Sequence, residues 1–337
     1  MMKFYRNLFK SLRILMLLLI SCMLMACGSL KPEYNKKQIE PVLYRIVDSS
    51  GVELRFSQKP QRIISLSIST DEILLDLVES ERIAALTYLV DDSGISNVVE
   101  QAKAVKNRVK DTSPEAIMKL KPDLIIIPDF VKPETIRSLR EMDINVYVYK
   151  TPSSLQEIMT TILEVGTLVN EEKRAEKIVS QMQKSMQVIE QRVSIISKNS
   201  MKRVILLRDG GAYFRPESSF NDICKHAMVK NALEELGYKK PVMVNQEEIV
   251  RLNPDVFLLM DWNGSEVSKD VENDNPYLNN AYNNVKAIKD RAVYVLPSRH
   301  LLCLSQYTVE AIKDIAEVAY GIKDPTPKKG FLINDRI

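Results

Sequence analysis

Three arginines in the second half of the chain, Arg208, Arg215 and Arg299, fall just past apolar runs of the kind that form buried strands. A guanidinium pairs bidentately with carboxylates and polarised oxygens, so their convergence would suit an anionic ligand. Tyr213, Tyr307 and the sole tryptophan, Trp262, lie in the same kind of segment, as do Ser67, Ser69, Tyr88 and Phe130 in the first half. Aromatic faces would suit a flat or macrocyclic body. Other chemistries find little support. Two histidines, His226 and His300, are too few for a bare zinc or manganese site. No HExxH, GxSxG, phosphate-binding loop or GxGxxG motif is present. The adjacent acids Asp91-Asp92 and Glu247-Glu248 read as solvated surface pairs.

The elements that would position these residues alternate between strand and helix. "RIISLS" (62–67), "RIAAL" (82–86), "DLIII" (123–127) and "NVYVY" (145–149) read as strands with helices between them. "KRVILL" (202–207), "PVMV" (241–244), "DVFLLM" (255–260) and "RAVYVLP" (291–297) repeat the pattern, with helices expected over 218–237 and near the C-terminus. A hairpin is expected at 44–56 around the turn "DSSG". Such βα units imply mainly parallel sheets, and ligands of open α/β sheets bind beyond the carboxyl ends of the strands. If the chain forms two such lobes facing each other, those ends line a cleft. The halves also share a motif. "SPEAIMKLKPDLIII" (113–127) and "NQEEIVRLNPDVFLL" (245–259) align Glu115 with Glu247, Ile117 with Ile249 and Pro122-Asp123 with Pro254-Asp255. Ser113 and Asn245 read as helix caps, Asn245 with Glu248 as a capping box, and each proline stops its helix ahead of a strand.

Between the halves, residues 153–198 are helical almost throughout. The piece from Glu171 onward has neither Pro nor Gly and would be about 40 Å long at about 1.5 Å per residue. A stiff helical connection disfavours large hinge closure. The organisation expected is a secretory signal at 1–26, a polar tether at 27–41, an N-terminal α/β lobe at 42–152, the helical spine at 153–198 and a C-terminal α/β lobe at 199–337. The signal is written as Lys3, Arg6, Lys10 and Arg13 followed by "ILMLLLISCMLMA", too short to span a bilayer. Apolar and charged fractions of 45% and 27% are those of a globular protein. The net charge of +3 includes the four signal cations, so the remainder is nearly neutral and suits no nucleic-acid role. Cys224 and Cys303 are expected as free, buried thiols.

Taken together, these features resemble one family. "LMAC" before and at Cys27 is similar to the lipobox of bacterial lipoproteins. With two α/β lobes, a helical spine and a Glu seven residues before a Pro-Asp in each lobe, the chain resembles the substrate-binding proteins of ABC transporters. More narrowly it resembles the class with a long interlobe helix, which carries ferric siderophores, haem and cobalamin. The resemblance implies Rossmann-like lobes joined by a long rigid helix. It also implies a permease and ATPase as partners, a monomer, and no enzymatic activity or resident cofactor. It places lipidation on Cys27, holding the exported protein to the outer face of the membrane, and permease docking on Glu115 and Glu247. The ligand set expected is Ser69, Tyr88, Phe130, Arg208, Tyr213, Arg215, Trp262, Arg299, His300 and Tyr307. A ferric siderophore fits the arginines and aromatics. Haem is the alternative, with His300 or Tyr88 as an axial ligand, and cobalamin, bulky and mostly neutral, ranks below the siderophore. A surface enzyme or sensor without a transporter is the alternative of another class.

Overall fold

A computed structural model describes residues 42–196, 201–208, 211–268, 278 and 280–322. The chain divides into two units, Met1–Pro41 and Val42–Ile337, so the expected signal, tether and Cys27 lie outside the described residues. Strands β1 (Tyr44–Val47) and β2 (Glu53–Phe56) form the anticipated antiparallel hairpin. The N lobe is built on five parallel strands in the order β5-β4-β3-β6-β7, namely β3 (Ile63–Ser65), β4 (Ile83–Thr87), β5 (Arg108–Val109), β6 (Leu124–Pro128) and β7 (Asn145–Tyr149). The C lobe has four parallel strands in the order β10-β8-β12-β13: β8 (Arg203–Leu206), β10 (Lys230–Asn231), β12 (Val256–Asp261) and β13 (Val293–Pro297). A separate antiparallel pair joins β9 (Ala212–Phe214) to β11 (Val242–Val244). Among the described residues no helix is long and apolar enough to cross a membrane.

Parallel strands covered on both faces must be apolar on both, and their residues part by alternation. In β6, Leu124 and Ile126 enter one core while Ile125 and Ile127 enter another. In β12, Val256 and Leu258 join the same core as Leu124 and Ile126, whereas Phe257 and Leu259 face a third. The shared core is thus continuous between the lobes. Its bridge is the helix Glu172–Ile196, whose Ile178, Met182, Met186, Ile189 and Val193 recur at helical spacing on one face. The expected spine is two helices, not one rod. Leu155–Leu168 packs beside Glu172–Ile196 after a turn at Asn170, which takes φ +57°. Gly166 lies so close to Ala175 that a Cβ there would overlap the Ala175 methyl. The helix expected over 218–237 also divides. Ser219–His226 ends before Met228, at φ +57°, and the chain then gives the edge strand β10 and a 3-10 turn closed by Gly237.

The repeated motif occupies equivalent places in the two lobes. Its helices, Pro114–Met118 and Gln246–Leu252, pack Ile117 and Ile249 on the outer face of each sheet. Lys121 and Asn253, at φ +49° and +48°, reverse the chain into the prolines. Asp123 then accepts the backbone N–H groups of Gln61 and Arg62 at 2.6 and 2.9 Å, and Asp255 accepts that of Arg203 at 2.8 Å. The Arg62 guanidinium donates to the Leu120 and Lys121 carbonyls, and that of Arg203 to Leu252 and Asn253. Each arginine thereby satisfies orphan carbonyls at a helix end while each aspartate starts the sheet. The caps differ. Asn245 accepts from Glu248 N at 3.0 Å, but Ser113 makes no capping bond and its hydroxyl donates to Asp111. Glu248 accepts from Tyr238 O–H at 2.6 Å, so the capping box is half made.

Candidate ligand cleft

The carboxyl ends of the two sheets face each other, and the loops leaving them touch. Beyond β4 and a short 3-10 turn, the Asn97 amide donates to the Arg299 carbonyl, just past β13, at 2.9 Å. A Cβ on Gly94 would overlap the backbone carbonyl of Trp262, the first residue after β12. Around this contact the strand exits present exposed aromatics from both lobes. Tyr88 follows β4 and Phe130 follows β6, with 52% and 73% of their surface open. From the C lobe come Trp262 at 45% and Tyr213 on β9 at 44%. Tyr213 pairs across the ladder with Met243, itself half exposed, a soft apolar neighbour that the sequence reading missed. Arg208 and Arg215 are exposed on either side of β9, and Arg208 exchanges backbone hydrogen bonds with Gly211.

Other anticipated wall residues are differently placed. Ser69 is buried in the first turn of the helix Ile68–Leu77. That helix is capped by Ser67, whose hydroxyl also shares hydrogen bonds with Thr70 and Tyr149 at 2.8 Å. His300 is buried, its Nδ1 2.5 Å from Asp314 Oδ2, so its ring is held inside the C lobe. Tyr307 is buried too, with its hydroxyl on Asp76 Oδ2 at 3.4 Å. The Arg299 guanidinium is largely covered and bonded to Glu266 Oε1 at 3.0 Å. None of these four side chains is open to solvent as the exposed aromatics are.

Beneath the cleft, acids of the N lobe meet donors of the C lobe. Glu72 Oε2 accepts from the Ser305 hydroxyl at 2.5 Å and the Cys303 thiol at 3.1 Å. Its Oε1 accepts from the Asn97 backbone and amide, both at 2.9 Å. Gln306 Nε2 donates to the Glu72 carbonyl and to Asp76 Oδ2 at 2.8 Å. Burial raises the Glu72 carboxyl, against the pull of these donors, and pushes Asp71 and Asp76 up to about 7. Asp71 is tied to Thr87 through its backbone and hydroxyl. Cys303 and Cys224 are both free and buried, and burial raises both thiols. The signal for this joint was three acids inside the otherwise apolar "STDEILLDLV" and the polar run "CLSQYT".

Two parallel α/β lobes bridged by a long helix, with opposed strand exits, make the fold of the class III periplasmic binding proteins. A solved periplasmic binding protein from Veillonella parvula superposes with a TM-score of 0.66 at 20% identity, over 83% of this chain and 98% of its own. The chain belongs to the periplasmic binding protein family, whose model matches residues 63–300. A Bacillus subtilis (strain 168) relative named as an ABC transporter substrate-binding lipoprotein, YvrC, is 25% identical over 314 residues, 90% of this chain and 95% of the relative. The high-affinity heme uptake system protein IsdE of Staphylococcus aureus (strain MRSA252) is 25% identical over 225 residues, 63% of this chain and 76% of its own. Members of this family are exported transport components, not enzymes, and the chain is a substrate-binding protein of that kind.

Glu115 and Glu247 are exposed at the starts of the two motif helices. Since each helix runs back from the carboxyl edge of its sheet to the amino end of the next strand, both glutamates lie at the cleft end of their lobes.

Proposed function

We propose that the protein captures an anionic metal chelate, a ferric siderophore, between its lobes and delivers it to an ABC permease. The observation that carries this reading is that the strand exits of both lobes carry exposed aromatics, Tyr88 and Phe130 in the N lobe and Tyr213 and Trp262 in the C lobe, together with the exposed cations Arg208 and Arg215. Flat faces would grip the body of the chelate and guanidiniums its carboxylate or catecholate oxygens. Glu115 and Glu247, one exposed carboxylate per lobe on matched helices, would dock onto basic groups of a two-fold permease. Acylated Cys27 would hold the protein at the outer membrane face, each buried methylene contributing about 0.8 kcal/mol. Haem is a second reading, supported by the haem-uptake relative and by Tyr88, an exposed phenol at the cleft edge that could reach an iron. Here His300 is set aside, because Asp314 holds its ring.

The test is titration with a panel of ferric siderophores, haem and cobalamin, followed by quenching of Trp262. Saturable binding of a ferric siderophore, weakened at least about tenfold by removing Arg208 and Arg215 together, is the expected result. A haem Soret band abolished by Tyr88→Phe would establish the second reading. Binding of a sugar or amino acid and none of the chelates would overturn both.

A further inference from the structure

Trp262 begins a strap, residues 262–268, that leaves β12 and returns to its own lobe where Ser268 and Val295 exchange backbone hydrogen bonds at 3.1 Å. Between those anchorages the strap lies against the other lobe. Gly264, at φ +78°, passes so near Ser93 that a Cβ there would stand 2.5 Å from the Ser93 hydroxyl oxygen and 3.0 Å from its carbonyl oxygen. Gly94 meets the Trp262 carbonyl in the same way. Arg299 spans this seam. Its Nη1 donates to Ser93 O of the N lobe at 3.4 Å and to Ser265 O of the strap at 3.3 Å, while Nη2 donates to Glu266 Oε1 at 3.0 Å. Its own carbonyl accepts from Asn97, whose amide also holds Glu72.

We propose that Arg299 is an interlobe clasp, a positioning residue that presses the Trp262 strap onto the Ser93–Gly94 turn and so sets the width of the cleft, without itself touching ligand. A planar fork with several donors suits this task, because three carbonyl or carboxylate oxygens from two lobes must be met at once. A lysine ammonium at the same place would reach one of them at a time. The proposal builds on the cleft reading above, yet its test needs no ligand.

The experiment is acrylamide quenching of Trp262, the only tryptophan, in the ligand-free protein. Arg299→Ala should raise the quenching constant at least about twofold as the strap opens locally, with Arg299→Lys in between. Gly94→Ala, which wedges the seam from the N-lobe side, should raise it similarly. The double variant should quench no more than the stronger single one, since two changes that open one contact are not additive. A residue that only packs within the C lobe would lower the melting temperature without that shared, non-additive change. Wild-type quenching in a folded Arg299→Ala or Arg299→Lys protein, or additive effects with Gly94→Ala, would overturn the clasp. Where Arg299→Ala does not fold, the Lys variant and Gly94→Ala decide. Unchanged quenching with ligand affinity lost would instead make Arg299 a ligand contact.

Discussion

The acid-lined joint between the lobes gives stability an inverted pH dependence. Burial moves the Asp76 carboxyl from 3.8 to about 7, against the hydrogen bond from Gln306, the field of Arg174 and the Tyr307 hydroxyl, with Glu72 adding to the rise. In the unfolded chain the group titrates at its ordinary value. Between about pH 4 and about pH 7 the folded protein therefore holds a proton that the unfolded chain has released, and stability falls as pH rises through that window. Above it, at about 1.4 kcal/mol per pH unit, the cost reaches about 4 kcal/mol. Asp76→Asn abolishes this titration and keeps an acceptor for Gln306 Nε2. It also offers a donor to Gln306 Oε1, which is buried and has no hydrogen-bond partner. The variant should be more stable than wild type near pH 8, by about 1–3 kcal/mol once relaxation and the modest net worth of a hydrogen bond are allowed for. The advantage should shrink as pH falls below about 7 and vanish near pH 4. Urea unfolding across that range measures it, and Asp71, also pushed up to about 7, tilts both curves alike and cancels in the difference. Parallel wild-type and variant curves, or a variant weaker than wild type near pH 8, would refute the reasoning.

Two further predictions concern the protein's place at the membrane. Glu115→Lys combined with Glu247→Lys should cut uptake at least about tenfold while leaving chelate affinity unchanged, because interfacial charge reversal repels the partner and neither residue belongs to the proposed ligand wall. Full uptake by that variant would leave the two glutamates as helix-start acids only. Cys27→Ser should move the protein from the membrane fraction to the soluble fraction, and incorporation of labelled palmitate should be lost. A variant still sedimenting with membranes would argue against acyl anchoring.

The two-lobed architecture was legible because its signals are local. A proline cannot continue a helix, and "DLIII" and "DVFLLM" are apolar on both faces because helices cover both. The partners of the Pro-Asp pairs were not legible, since Asp123 reaches Arg62 across 61 residues and Asp255 reaches Arg203 across 52. The same holds for 218–237, where the chain leaves its helical pattern to bond Lys230 and Asn231 to β8. At the cleft, strand exits located the loops but not the directions of their side chains. Phe130 and Trp262 point outward, while Tyr307 turns inward because its loop must cover the acids of a helix in the other lobe. Nothing within "LPSRHLLCLSQY" records where that helix lies.

The same joint bears on how the lobes can move. A hinge of short crossover strands would let each lobe keep a private core, so that opening exposes only the cleft. Here Leu124 and Ile126 of the N lobe, Met182 and Ile189 of the spine, and Val256 and Leu258 of the C lobe belong to one core. Separating the lobes would expose part of that core at about 25 cal/mol per Å2 and would also strand Glu72 without the Ser305 and Cys303 donors. Small shear of the Trp262 strap against the Ser93–Gly94 turn costs neither, since that seam is held by hydrogen bonds at the edge of the core. Ligand entry is therefore expected to act on the strap and leave the spine in place. In that case the separation of Glu115 and Glu247 is a property of the fold and nearly independent of occupancy, and a permease would distinguish loaded from empty protein by what fills the cleft between them.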